Sequence, residues 1–243
     1  LPKFRNSMYK YKRNKKLEKP TMKSTKIIFV FDLDGTLAHT APSLLKAGNS
    51  VLTDLGRKTI NVSRYSTFIG KGTRKQVELL LDYTGGIPEK GLDFYYNKFM
   101  KSYKNDPISD SFLYPGVIEF LEFLKKKKTT MAVCTQKNSE TATKLIKELK
   151  IYEYFQGFAF GDSTEFLKPD IRVFQHAVRS LGEANYFYVG DSAIDLSLAS
   201  KVKAKFLFHK NGYSKDLSFR KGVSFSFDTY SQLLDYIDDF LDQ

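Results

Sequence analysis

The stretch Ile27–Leu37, IIFVFDLDGTL, decides the fold. Its first five residues, Ile27 to Phe31, carry no polar side chain. A short apolar run closed by a turn signal predicts a strand buried on both faces, as the central strands of parallel sheets are. Two carboxylates follow, Asp32 and Asp34, and then Gly35. The two acids therefore fall at the carboxyl end of a central strand, the edge where open α/β sheets bind ligands. Residues two apart on an extended backbone point the same way, so Asp32 and Asp34 share a side.

Downstream, short apolar runs alternate with amphipathic stripes. The runs are Met131–Cys134, Phe158–Phe160, Tyr186–Val189 and Phe206–Phe208. Stripes at helical spacing include Val117, Phe120, Leu121 and Leu124; Ala142, Leu145, Ile146 and Leu149; and Phe174, Ala177, Val178 and Leu181. A last stripe runs Leu233, Tyr236, Ile237 and Phe240. From about residue 115 the order alternates helix and strand, which predicts an α/β fold with a doubly wound, Rossmann-like parallel sheet. Residues 42–110 hold only helical patterns, with breaks at Gly70-Lys71-Gly72 and Gly85-Gly86. They read as an inserted α-helical cap, and residues 22–41 and 111–243 as the core. All these stripes are expected to be packing surfaces.

Composition narrows the class. The single cysteine, Cys134, leaves no internal disulfide and no multi-cysteine metal site. No stretch approaches 18 uninterrupted apolar residues, so no membrane span is expected. The formal charge of +12 is concentrated before Met22, where eight basic residues meet one acid, Glu18. Residues 1–21 thus read as a basic tail or leader with little to bury. A basic, acid-poor leader is compatible with an organelle transit peptide; otherwise a cytoplasmic protein is expected. The body repeats no basic-aromatic pattern of a nucleic-acid platform, and no nucleic-acid partner is expected.

The chemistry gathers where strands end. The first strand ends in Asp32 and Asp34, the second in Thr135, and the Tyr186–Val189 run in Gly190-Asp191-Ser192, with Asp195 beyond. Lys168 precedes Pro169 between them. Carboxylates crowded together repel unless a cation holds them, and oxygen-only ligands favour a hard ion such as Mg²⁺. A carboxylate can also attack phosphorus, and phosphoryl transfer needs in-line placement and neutralised equatorial oxygens. A second carboxylate beside the nucleophile can act as general acid and base.

The ordered set DLDGTL, Thr135, Lys168 and GDSAID resembles the four motifs of the haloacid dehalogenase superfamily of phosphohydrolases over residues 26–243. The resemblance implies Asp32 as nucleophile and Asp34 as general acid/base. It implies Mg²⁺ held by Asp32, the Asp34 backbone carbonyl and Asp191, with Asp195 supporting the metal shell. Thr135 and Lys168 would hold the phosphoryl group, and Gly35 would permit the turn that exposes both acids. The segments HTAPSLLKAGNSVLTDLG, FIGKGTRKQVELLL and KNGY further resemble phosphoglycolate phosphatases. His39 stands where that subgroup usually has an acid, Gln136 where Asn is common, and Ser192 where Thr is frequent.

The expected activity is hydrolysis of a small phosphorylated metabolite, 2-phosphoglycolate first, through an aspartyl-phosphate. Gly35, Gln136, Lys71 and Arg74 are the candidate substrate contacts, the last two through a carboxylate, which Arg grips well. A homodimer is compatible with this reading. The alternatives are a phosphosugar mutase, a phosphatase of nucleotides or pyrophosphate, and a phosphonate hydrolase using Lys46 or Lys71. A dehalogenase would leave Asp34 superfluous. A non-catalytic binding or regulatory protein on the same scaffold is the rival from another class.

Overall fold

The computed structural model describes residues 26–214, 217–218 and 220–241. The basic segment 1–21 lies outside the described residues. Elements are numbered in chain order. Six parallel strands form one sheet: β1 (Ile27–Phe31), β4 (Thr130–Cys134), β5 (Gly157–Ala159), β6 (Asn185–Gly190), β7 (Lys205–His209) and β8 (Val223–Phe227). Their order is β5-β4-β1-β6-β7-β8. The apolar first run is thus central, flanked on both sides.

Side chains of β1 alternate between two cores. Phe29 and Phe31 pack with α5 (Val117–Lys126), α6 (Ser139–Glu148) and α9 (Tyr230–Leu241). Ile28 and Val30 pack with α7 (Ile171–Val178) and α8 (Ala193–Lys201). Helices on both faces explain why the strand has no polar residue, and make the fold doubly wound. Phe29 stacks on Phe187 at 4.8 Å between ring centroids and meets the edge of Phe120 at 6.0 Å. Truncating such a buried aromatic costs about 3–5 kcal/mol.

Four helices separate β1 from β4: α1 (Ala41–Asp54), α2 (Val62–Ser66), α3 (Thr73–Tyr83) and α4 (Gly91–Asn105). They bury a third cluster of their own, with Leu44 and Val51 from α1, Tyr65 from α2, Leu80 from α3, and Phe99 and Tyr103 from α4. Pro42 sits in the first turn of α1, where its missing N–H costs nothing. The chain leaves the sheet through β2 (Ala38–His39) and returns through β3 (Phe112–Leu113), which pair antiparallel. Both crossings to the helical unit therefore lie side by side. Among the described residues no helix is long and apolar enough to cross a membrane.

Candidate active site

The sheet register brings the strand ends together. Phe31 pairs with Val133 on β4 and with Val189 on β6. Asp32 therefore stands one residue past β1, level with Cys134 and Gly190, and one residue short of Thr135 past β4 and of Asp191 past β6. Sheet order reverses around β1, so this edge is the switch-point crevice of an open α/β sheet. Lys168 reaches it from the loop before α7, ahead of a cis Lys168–Pro169 bond.

Lys168 Nζ lies 2.9 Å from Asp32 Oδ1 and 2.7 Å from Asp195 Oδ1, and donates to the Cys134 carbonyl at 3.2 Å. Burial alone would favour the neutral amine, but the Asp195 and Asp32 carboxylates outweigh it and hold Lys168 protonated. Asp195 is fully buried. Its carboxylate accepts from Lys168, from the Tyr188 hydroxyl at 3.2 Å, and from Ser192 N and Oγ at 3.1 and 2.5 Å. A carboxylate has about four acceptor sites, so Asp195 is saturated by protein donors. It also completes a capping box at the start of α8 with Ser192.

Asp32 and Asp191 are less provided for. Burial pushes the Asp32 carboxyl up to about 7, against the pull of Lys168 and with added repulsion from Asp195. Burial and the charges of Asp195 and Asp32 push Asp191 well above the carboxylate range. Asp191 Oδ2 accepts the Tyr213 backbone N–H at 2.6 Å. Carboxylate oxygens of Asp32, Asp191 and Asp195 lie within 4.8 Å of one another. With Asp34, four carboxylates face two ammonium groups, Lys168 and Lys137. The uncompensated pair of negative charges and the oxygen-only donors fit a hard divalent cation.

Asp34 is held from two sides. Thr40 Oγ1 donates to its Oδ1 at 2.5 Å, and Lys137 Nζ lies 3.0 Å from the same oxygen. Lys137 is buried, is kept charged against the cost of burial by Asp34, and sits 4.8 Å above the Tyr103 ring. Gly35 turns the chain between Asp34 and Thr36 at φ +85°. A Cβ there would meet Asp191 Oδ2 at 2.5 Å. Thr135 is not the cap of α6. That cap is Asn138, while Thr135 Oγ1 accepts Lys137 N at 3.2 Å.

A narrow cleft separates these groups from the helical unit. Asp32, Asp34, Thr135, Gln136, Lys137 and Lys168 line one side, and Leu44, Ile69, Gly70, Gly72, Thr73 and Gln76 the other. Gln136 Nε2 donates to the Gly70 carbonyl at 2.6 Å, joining the two sides. A larger, open concavity elsewhere on the helical unit, lined by Lys58, Arg64 and Tyr83, holds no strand-end group and no carboxylate. The chemistry therefore belongs to the smaller cleft.

Of the four expected substrate contacts only Gln136 lines the cleft; Gly35 is turned against Asp191 beneath it, and the two cations lie elsewhere. Lys71 is exposed and does not line the cleft, and Arg74 pairs with Asp93 at 2.6 Å on the surface. Lys46 likewise pairs with Asp106 at 2.7 Å, away from the cleft. Surface cations stay hydrated or pair with surface acids when no buried acid receives them. His39 lies outside the cleft with Nδ1 3.3 Å from the Tyr213 hydroxyl. Sequence reading missed Lys137, Thr40 and Gln76. Lys137 stands two residues past Thr135, on the strand-end turn already singled out, and that spacing is the signal that could have found it.

The family profile of the haloacid dehalogenase-like hydrolases matches residues 29–209, more than half of the chain. A phosphoglycolate phosphatase of Rhodobacter capsulatus is 34% identical over 187 residues, covering 76% of this chain and 85% of its own. One from Agrobacterium fabrum is 31% identical over 189 residues, covering 76% and 81%. Among solved structures, a predicted phosphoglycolate phosphatase from Haemophilus somnus superposes with a TM-score of 0.81 at 24% identity. It covers 88% of this chain and 99% of its own, a likeness of fold. The strand-end acids, the lysine between them and these relatives converge: the chain belongs to the haloacid dehalogenase-like hydrolases and is a phosphoric monoester hydrolase.

Proposed function

We propose that this enzyme hydrolyses a small, carboxylate-bearing phosphomonoester, 2-phosphoglycolate, with Asp32 as nucleophile and Asp34 as general acid and base. The observation that carries the reading is the pairing of two differently held carboxylates at the floor of a small cleft. Asp32 is buried against Lys168, whereas Asp34 is gripped by Thr40 and Lys137. Different surroundings give two acids different tasks. The relatives named above favour phosphoglycolate among small esters.

Asp32, the backbone carbonyl of Asp34 and Asp191 are the proposed ligands of Mg²⁺, with Asp195 holding Lys168 and the turn behind them. When bound, the ion offsets the clustered negative charge and lets a phosphate dianion approach. An Asp32 carboxylate oxygen attacks phosphorus, and the phosphorus–alkoxide bond breaks. Asp34 gives its proton to the departing alkoxide. Water then attacks the aspartyl-phosphate and leaves its proton on Asp34, which releases phosphate and restores both acids. Lys168 and the Thr135 hydroxyl flank the transferring group and stabilise its charge. We read α1–α4 as a cap whose Gly70 loop, tied to Gln136, limits the cleft to small esters.

A phosphonate hydrolase would need an amine in the cleft from the helical unit, and Lys46 and Lys71 are both elsewhere. The experiment is phosphate release from 2-phosphoglycolate, sugar phosphates, nucleoside monophosphates and pyrophosphate, with Mg²⁺ and with chelator. Chelator-sensitive preference for 2-phosphoglycolate is the expected result. Preference for another ester overturns the substrate, and turnover undiminished by chelator overturns the metal.

A further inference from the structure

We infer that the carboxylate end of the substrate is recognised by neutral donors, the side-chain amide of Gln76 and the first-turn N–H groups of α3, and by no cation of the helical unit. This inference rests on the substrate reading above and names the residues that distinguish the substrate from other small esters.

Gln76 lies on α3, is 4% exposed, and lines the cleft opposite Asp32 and Asp34. Its Oε1 accepts the Tyr65 hydroxyl at 3.4 Å, and Tyr65 is fully buried behind it. The acceptor end of the amide is thereby turned into the helical unit. The donor end, Nε2, has no partner among the described residues. Nε2 is therefore the polar atom of this otherwise buried side chain that stays open on the cleft wall to a ligand acceptor.

The helix that carries it supplies the second element. α3 has eleven residues, and its start, Gly72 and Thr73, lines the same cleft. The first N–H groups of a helix have no partner inside it, and that end carries a partial positive charge. At α3 no side chain caps them and no acid stands in the first turn, because the N-cap is Gly72. The preceding loop is fixed by the Gln136 bond to Gly70. Gln76 and the helix start thus line the wall opposite Asp32 and Asp34, where Nε2 and the free first-turn N–H groups offer donors. A carboxylate has acceptors only, and in the reading above the phosphoryl end goes to Asp32. The cations that the sequence suggests for this task, Lys71 and Arg74, point to solvent and to Asp93.

The test uses the full chain with Mg²⁺ and two esters of matched size, 2-phosphoglycolate and ethyl phosphate, which lacks the carboxylate. Gln76→Met keeps the volume and removes the donor, and Gln76→Glu keeps the shape and adds a negative charge. Losing one hydrogen bond to a charged group raises KM for 2-phosphoglycolate about 10- to 100-fold. Gln76→Glu raises it further. For ethyl phosphate, kcat/KM stays within about threefold in both. Tyr65→Phe, which keeps the ring and frees the amide to rotate, gives a smaller loss in the same direction and guards against misfolding of the first two. Unchanged KM for 2-phosphoglycolate in Gln76→Met, or equal losses on both esters, overturns the inference alone. A wild-type enzyme that does not prefer 2-phosphoglycolate to ethyl phosphate overturns the substrate reading, and the inference falls with it.

Discussion

Gly35 is where backbone and chemistry meet most tightly. Its φ of +85° is open to glycine and strained for other residues, and its missing Cβ leaves room for the Asp191 carboxylate. Gly35→Ala is expected to lower kcat more than about 100-fold, because shifting Asp191 by an ångström misplaces the whole acid cluster. Steady-state kinetics beside a thermal melt separates that loss from unfolding. Lys168→Met leaves Asp32 and Asp195 without their shared cation. A destabilisation of about 3–5 kcal/mol is expected, read from urea titration. At this scale much of the site was legible in the sequence. Asp32, Thr135 and Asp191 each close an apolar run, and the run itself announces a strand end. Lys71 and Arg74 misled because their charge suggested a carboxylate, whereas Lys71, in the loop, is exposed to water and Arg74, in the first turn of α3, pairs with Asp93. Gln76 gave no signal, since a polar residue on an amphipathic helix reads as its solvated face.

Among the elements, the loop after β7 ties the most together. Tyr213 gives its N–H to Asp191 at 2.6 Å, and its hydroxyl accepts the N–H groups of Thr40 and Ala41 at 2.6 and 2.9 Å. One residue therefore links Asp191, the start of α1 and, through Thr40, Asp34. Tyr213→Phe strands two N–H groups at the helix start. A cost of about 1–3 kcal/mol is expected, with a fall in kcat larger than any rise in KM. Paired melts and kinetics measure both. Helices with strong stripes were readable from their period, and the buried strands from unbroken apolar runs. β8 was missed although its sequence, VSFSF, alternates strictly, because it is half-exposed and looks for apolar runs overlook it. β2 and β3 have two residues each, too few to carry any period. Their pairing arises only once the helical unit folds back.

For the molecule as a whole, the buried acids make stability depend on metal and pH together. The Asp32 carboxyl rises from an ordinary 3.8 to about 7 in the folded chain, and Asp191 shifts the same way. Between those values the native state binds more protons than the unfolded chain, so stability falls as pH rises. With chelator, the melting temperature is expected to drop between pH 4 and pH 7 through these groups. A cation that binds only the folded, ionised acids restores it. Calorimetry with and without Mg²⁺ is therefore expected to give a larger stabilisation at pH 8 than at pH 5. The doubly wound architecture was readable because helices and strands alternate after residue 115. The fit of the helical unit over the cleft was not, since it depends on long-range contacts such as Gln136 to Gly70.

The most direct test of the account is the turnover of Asp32→Asn on 2-phosphoglycolate with Mg²⁺. Asparagine keeps the shape and cannot form an acyl-phosphate. A loss of more than about 1000-fold in kcat with a cooperative melt retained is expected. Turnover within about tenfold of the wild type would contradict it, and would move the chemistry away from Asp32.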